Sequence, residues 1–295
     1  MDSPAHIHQK ASFGRHETFA LRYAWLTKGF QAFKKNPDIF TEEKATIELG
    51  VGKNMVHAIK YWLRAAQMIN NEQTTEVGDL IFSERGDQYL QDEATIWLIH
   101  WLIATNFEAA TAWYWFFNCF HKVEFTSEQA ADALVEFSKQ FGKHSERTVR
   151  HEIAMILRMY TPAINKAQLE DSLDAPLTSL NLIHSVEHTR FYRSPLNIQN
   201  SLTTPIIGYA VNEVFKHRNL NVLPIHDLMY GQKYDIALGS VFRLTESALL
   251  AKLEDLVKLY PNDFQLNETA GLHNLHKISD KTSIDILKAH YHKYG

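Results

Sequence analysis

The chain has 295 residues, 45% of them hydrophobic, with a net charge of −4 at pH 7. Such a length and apolar content exclude a disordered tail and leave room for two or three small domains, or one large one. The mild acidity excludes a protein that is basic throughout, so any nucleic-acid contact has to come from local patches and to be sensitive to salt.

The N-terminal Met-Asp-Ser-Pro-Ala-His-Ile-His lacks a basic region followed by an apolar one, so no signal peptide is expected. Phe13 to Leu26 mixes aromatics with His16, Glu17 and Arg22. His16-Glu17 has the opening letters of a zinc-protease helix, but Ala20 stands where the second histidine would be, and a buried polar anchor is the better expectation. Pro37-Asp38 and Glu42-Glu43-Lys44 carry the letters of a restriction-type nuclease site. They surround the start of one predicted helix, however, where such nucleases join neighbouring strands.

The organising stretch is Gly50 to Ile69. A helix from Glu42 to Leu49, capped by Thr41, is predicted to end at the turn Gly50-Val51-Gly52. From Lys53 a second helix would place Met55, Ile59, Trp62, Leu63, Ala66 and Ile69 on one side, and Lys53, His57, Lys60, Arg64 and Gln67 on the other. Solvation alone would account for the polar side; a helix-turn-helix with Asn54 near its start is the functional alternative. Thr74 to Gly86, with β-forming residues around Gly78-Asp79, predicts a hairpin wing after it. Gly50-Val-Gly-Lys53-Asn54 is not a phosphate loop, since Ile47 and Asn54 replace the glycine and hydroxyl that motif needs.

Ala94 to Phe120 reads as two buried helices, because Asn106 and Glu108 break it into pieces too short to span a membrane. Cys119, the single cysteine, lies in this aromatic run; it fits core packing and a reducing, cytoplasmic setting. Thr126-Ser-Glu-Gln129 is a capping box opening a helix to Phe141, and Gly142 ends it. A helix from Glu146 to Tyr160 follows, with Val149, Ile153, Ile156, Leu157 and Tyr160 on its apolar face and Arg147, Arg150, His151 and Arg158 on the other. Aligned with the first basic helix, it predicts a second helix-turn-helix-like unit. Glu170 to Leu177 is an acidic connector. His184-Ser-Val-Glu187-His188 has the order of an inverted zinc-protease motif, with solvent-facing histidines as the plainer reading; no metal site is assigned. Further on, Pro205 opens a helix through Lys216, Leu223 to Gly231 reads as loop or short strand, and Thr245 caps a helix from Glu246. A small hairpin is predicted over 263–273. The helix before it carries Glu254 and Asp255 beside lysines, so it is expected to be structural or partner-facing.

Several lines of residues resemble a bacterial family encoded beside DNA sulfur-modification genes, similar to the SspB components of single-strand DNA phosphorothioation defence systems. These are His16-Glu-Thr-Phe-x-x-Arg22-Tyr-x-Trp-Leu26, Glu48-Leu-Gly-Val-Gly-Lys-Asn-Met55 with Trp62, and Trp97-Leu-Ile-His-Trp101. Arg158-Met-Tyr160 and Glu170-Asp-Ser-Leu-Asp-x-Pro-Leu177 extend it. The resemblance implies a protein that binds double-stranded DNA, works with a cysteine desulfurase, an ATP-using sulfur transferase and an ATPase, and nicks DNA so that sulfur can replace a non-bridging phosphate oxygen. Nicking would call for a divalent ion such as magnesium, or an activated nucleophile with a base; His16, Glu17 and Glu152 are the candidates.

The expected fold is mainly α, with winged helix-turn-helix units, short β-hairpin wings and a helical core. Domains are expected at 1–92, 93–172 and 173–295, with a homodimer among the partner expectations and no membrane. Set against DNA nicking are a non-catalytic DNA-recognition subunit or transcription regulator, and a protein-interaction scaffold.

Overall fold

The computed structural model describes residues 10–70, 73–162, 174–231, 235–269 and 271–292. It is mainly helical with two small antiparallel sheets. Contacts divide the chain into two units: one runs to Phe116 and resumes over Lys122–Pro195, and the other holds Phe117–His121 and Leu196 onward. The boundary expected at 92/93 falls inside the first unit; that at 172/173, with the first half of the acidic connector, lies outside the described residues. Among the described residues, no helix is long and apolar enough to cross a membrane.

The first unit opens with an N-terminal strap, residues 10–22, followed by α1 (Tyr23–Lys35), α2 (Ala45–Leu49) and α3 (Lys53–Ala65). α1 and α3 cross closely because Gly29 has no side chain: a Cβ there would lie 2.4 Å from Ile59 Cγ2. Gly50 ends α2 in the left-handed conformation, φ 64°, where a Cβ is costly. α2 starts later than expected. The Thr41 hydroxyl donates to the Asp38 carbonyl at 2.8 Å within a 3-10 turn over Ile39–Thr41, and Lys44 stands at the N-cap position of α2.

The wing expected at 74–86 is instead α4 (Glu76–Ile81). Two local forces override the β-forming residues. The Thr75 hydroxyl accepts from the Gly78 amide at 3.1 Å as an N-cap. Gly78 itself is a close-packing position, where a Cβ would meet the Met68 carbonyl oxygen at 2.4 Å and the Phe30 ring at 2.6 Å.

α5 (Glu93–Ala104) is buried all round from Ala94 to Ala104, and α6 (Thr111–Asn118) follows, as the two buried helices expected. The Cys119 thiol is pushed up to about 12 by burial, so it stays protonated. Strand β1 (Glu124–Thr126) runs into α7 (Ser127–Ser138), where Thr126 and Gln129 form the capping box. Ser145 caps α8 (Glu146–Tyr160), and α8 packs on α7. β2 (His184–Ser185) and β3 (Phe191–Arg193) then make a hairpin whose second strand pairs with β1, in the order β1-β3-β2. His184 lies in a strand and His188 in a turn at φ 58°, so the two do not share a helix face as a metal motif would require.

The second unit follows an order similar to that from α6 to β3, with two further helices. α9 (Thr204–Arg218) has Pro205 in its first turn, and β4 (Val222–Pro224) is followed by α10 (Ile225–Tyr230), a helix where loop or strand was expected. Then come α11 (Leu238–Val241), α12 (Glu246–Leu259) capped by Thr245, and the hairpin β5 (Phe264–Thr269) and β6 (Leu272–Lys277). The sheet order is β4-β6-β5, and α13 (Ser283–Tyr291) closes the unit. Asp263 pins the hairpin, accepting from Lys281 Nζ at 2.5 Å and Ser279 Oγ at 2.6 Å. Burial alone would raise its pKa, but these two partners outweigh burial and hold it below the ordinary value.

Two outcomes follow. Gly78→Ala should lower stability by about 1–3 kcal/mol, read as a lower denaturant midpoint with an unchanged slope. A depressed folded-state pKa contributes stability that is present above the unfolded carboxylate pKa and lost as pH falls through the folded value. Asp263→Asn should therefore flatten the acid limb of the stability–pH curve, measured by denaturant unfolding from pH 7 down to pH 3.

Candidate nucleic-acid interface

Both predicted basic helices form, and both belong to the first unit. α3 buries Val56, Ala58, Ile59, Trp62, Leu63 and Ala65, and leaves Lys53, Asn54, His57 and Arg64 exposed with Lys60 half-buried. Burial of Val56 turns the apolar face slightly from the expected one, in which Met55 led; Met55 is half-buried. α8 exposes Arg147, His151 and Arg158.

Arg150 differs from these. Its guanidinium pairs with Asp132 at 2.6 Å on α7 and with Glu146 at 2.8 Å one turn back, which raises its pKa, Asp132 contributing most. Two carboxylates cancel its charge locally, so Arg147 carries more of the outward potential of this turn. Glu146, Arg147, Arg150 and His151 line an open depression of about 500 Å³.

What holds the two helices is the N-terminal strap. His16 and Glu152 are each only 2% exposed, with Nε2 3.3 Å from Glu152 Oε2. The Thr18 amide donates to His16 Nδ1 at 3.1 Å, which makes Nδ1 an acceptor and leaves the ring hydrogen on Nε2, facing the carboxylate. The Gly14 amide donates to Glu152 Oε1. Gly14, at φ 75°, lies where a Cβ would be 2.5 Å from Thr148 Cγ2 on α8. On the α3 side, the His16 ring stacks on Trp62 at 6.3 Å between centroids, and Trp62 Nε1 donates to the Phe19 carbonyl at 2.9 Å. Tyr61 and Trp113 complete the cage edge-on, and burial, with Glu152 adding to it, holds the Tyr61 phenol well above its ordinary pKa.

The structure thus brings His16 and Glu152 together and leaves Glu17 exposed, in the left-handed conformation at φ 51°. The pair has the place of the buried polar anchor expected for this segment. Sequence reasoning missed the cage of Tyr61, Trp62 and Trp113. The available signal was Glu152 itself, a carboxylate between Val149, Ile153 and Ile156 on an apolar face, which demands a buried partner.

The DUF4007 family, described only as proteins of unknown function, matches residues 13–291. The chain belongs to that family. Two solved structures are similar to it over almost their whole length. One is an SspB crystal structure at 26% identity and a TM-score of 0.86, covering 98% of this chain and 91% of that one. The other is a magnesium ion-bound SspB crystal structure at 27% identity and a TM-score of 0.85, covering 99% and 91%. The chain is therefore SspB-like in fold and sequence. No curated protein matches it.

The magnesium in that second structure invites a test of the donors here. Among the described residues, no three His, Cys, Asp or Glu side chains converge to hold a metal ion. Glu152 already accepts from Gly14 and faces His16. Among the described residues, these donors do not build a metal cage.

Removing the Glu152 carboxylate tests the strap. Glu152→Ala should cost about 3–5 kcal/mol, the range for breaking a buried pair, and should change the near-ultraviolet circular dichroism of Trp62 and Trp113. Glu152→Gln, which keeps an acceptor for Gly14, should lose less.

Proposed function

We propose that this protein is a DNA-binding component of a phosphorothioation-linked defence system, engaging double-stranded DNA through the outer faces of α3 and α8. The similarity to SspB over 98% of the chain carries this reading. The exposed cations support it, since a protein of net charge −4 approaches a polyanion through local patches. Lys53, Asn54, His57, Lys60 and Arg64 form one patch, and Arg147, His151 and Arg158 form the other, with Arg150 beside them.

The order α6, β1, α7, α8 and the β2–β3 hairpin reads as a winged helix-turn-helix, with α8 as the helix presented to the major groove. Helix–helix order and a hairpin joined to one sheet are what that unit requires. The order α9, β4, α10, α12 and the β5–β6 hairpin reads as a second such unit. α3, with α4 after it, keeps the helix-turn-helix part alone. Within the defence system, the partners this reading calls for are a cysteine desulfurase, an ATP-using sulfur transferase and an ATPase.

Strand nicking by this chain is the enzymatic form of the reading and follows from the resemblance. The 2% exposure of His16 and Glu152 favours the non-catalytic form, because a phosphodiester has no path to either side chain without opening the strap. Of the three candidates, Glu17 alone meets solvent.

Fluorescence anisotropy with a labelled duplex tests the interface. Lys53→Glu with Lys60→Glu and Arg64→Glu, and separately Arg147→Glu with Arg158→Glu, should each weaken binding and make log affinity less steep in log salt. Unchanged affinity and slope for either set would remove that helix from the interface. Nicking is read by plasmid relaxation with and without magnesium, in protein free of contaminating nuclease. Relaxed circles that vanish in Glu17→Gln would favour the enzymatic form; no relaxed circles with full duplex binding would favour the other.

A further inference from the structure

We infer that the tip of the β2–β3 hairpin, Glu187 to Arg190, is a second duplex contact in which the Arg190 guanidinium meets a backbone phosphate with the His188 imidazole beside it. This rests on the reading of α8 as a DNA-facing helix and adds a site on a different element.

The tip is a fixed surface. The Val186 amide donates to the Phe191 carbonyl at 2.9 Å, and the Thr189 amide and hydroxyl both donate to the Val186 carbonyl, at 3.1 Å and 2.9 Å. The Phe191 amide in turn donates to the Thr189 hydroxyl at 3.1 Å. His188 takes the left-handed conformation at φ 58°, which closes the turn and leaves Glu187, His188, Thr189 and Arg190 exposed. A contact preordered in this way loses little side-chain and loop entropy on binding.

The root is tied to the same helix unit. The Thr178 hydroxyl, in the segment entering the hairpin, donates to the Met159 carbonyl at 3.1 Å, next to Arg158 in the last turn of α8. At the other strand, the Ser194 amide donates to the Val123 carbonyl at 2.8 Å, just before β1 leads into α7. The hairpin therefore moves with the helices it follows.

Its charges are divided by role. Arg193 is held by Glu124 at 2.7 Å across the sheet and braces the strands. Arg190, one residue past the turn, is exposed and engages no carboxylate among the described residues. A two-stranded ribbon is narrow enough to enter a groove, and arginine is the side chain suited to phosphate there. Glu187 opposes this contact, which fixes the sign of the test. Of the two histidines that resembled a metal motif in the sequence, His188 has a place on this tip, while His184 lies in β2.

The test is duplex binding by the full chain over a series of salt concentrations, comparing Arg190→Ala and Glu187→Gln with Arg147→Glu plus Arg158→Glu. Arg190→Ala should weaken binding roughly threefold and reduce the salt slope by about one. Glu187→Gln should tighten binding, with thermal midpoints unchanged in both. If both hairpin variants bind like the parent while the α8 variant weakens, the hairpin contact is wrong and the reading of α8 stands. If the α8 variant is also unchanged, both fall together.

Discussion

The buried contact between His16 and Glu152 is the constraint on which the first unit depends. A carboxylate at 2% exposure is costly unless its oxygens are satisfied, and its two partners, the Gly14 amide and the His16 ring, come from one three-residue stretch of strap. The strap cannot shift along α8 without exposing that carboxylate to an apolar interior. The same imidazole stacks on Trp62 of α3, so a single ring fixes the inner faces of both basic helices. The contact joins the start of the chain to residue 152, so it ties together segments far apart in sequence.

That internal arrangement determines which charges remain outside. With Glu152 and the apolar positions of α8 turned inward, Arg147, His151 and Arg158 face solvent, and the helical repeat makes the partition unavoidable. Arg150, on the edge between the two faces, is reached by Asp132 of the neighbouring α7 as well as by Glu146. Exposed pairs of this kind add little stability. Their effect is on the field, since a paired arginine offers a polyanion much less than a solvated one.

Local chemistry was legible in the sequence where one or two residues decide an outcome. The Thr126–Gln129 box, the α8 boundaries, the Thr245 cap, Pro205, the Gly50 turn and the hairpin after Pro261 are examples. The wing expected at 74–86 failed because Gly78 is a spacer under Met68 and Phe30 and not a turn residue, a fact that belongs to three distant segments. β1, β2 and β3 are two or three residues long, and whole helices separate β1 from the other two, so pairing Glu124 with Arg193 and His184 with Arg193 leaves no periodic trace. At the candidate site the cationic positions were legible and the aromatic cage was not. Trp62 looked like any core residue until His16 was stacked on it.

A similar order of elements, used twice, gives two different surfaces. α12 holds the place in its unit that α8 holds in the other, yet Lys258 pairs with Asp255 at 3.2 Å, and the half-buried Lys252 donates to the Leu202 carbonyl at 2.8 Å. Burial lowers the Lys252 pKa, with Asp255 acting against it. Glu246 and Glu254 add negative charge to the same helix. A duplex would find arginines on α8 and a mixed, largely neutralised face on α12. The arrangement of helices and hairpins therefore does not by itself assign a DNA contact; what distinguishes the two units is the charge that each helix presents to solvent.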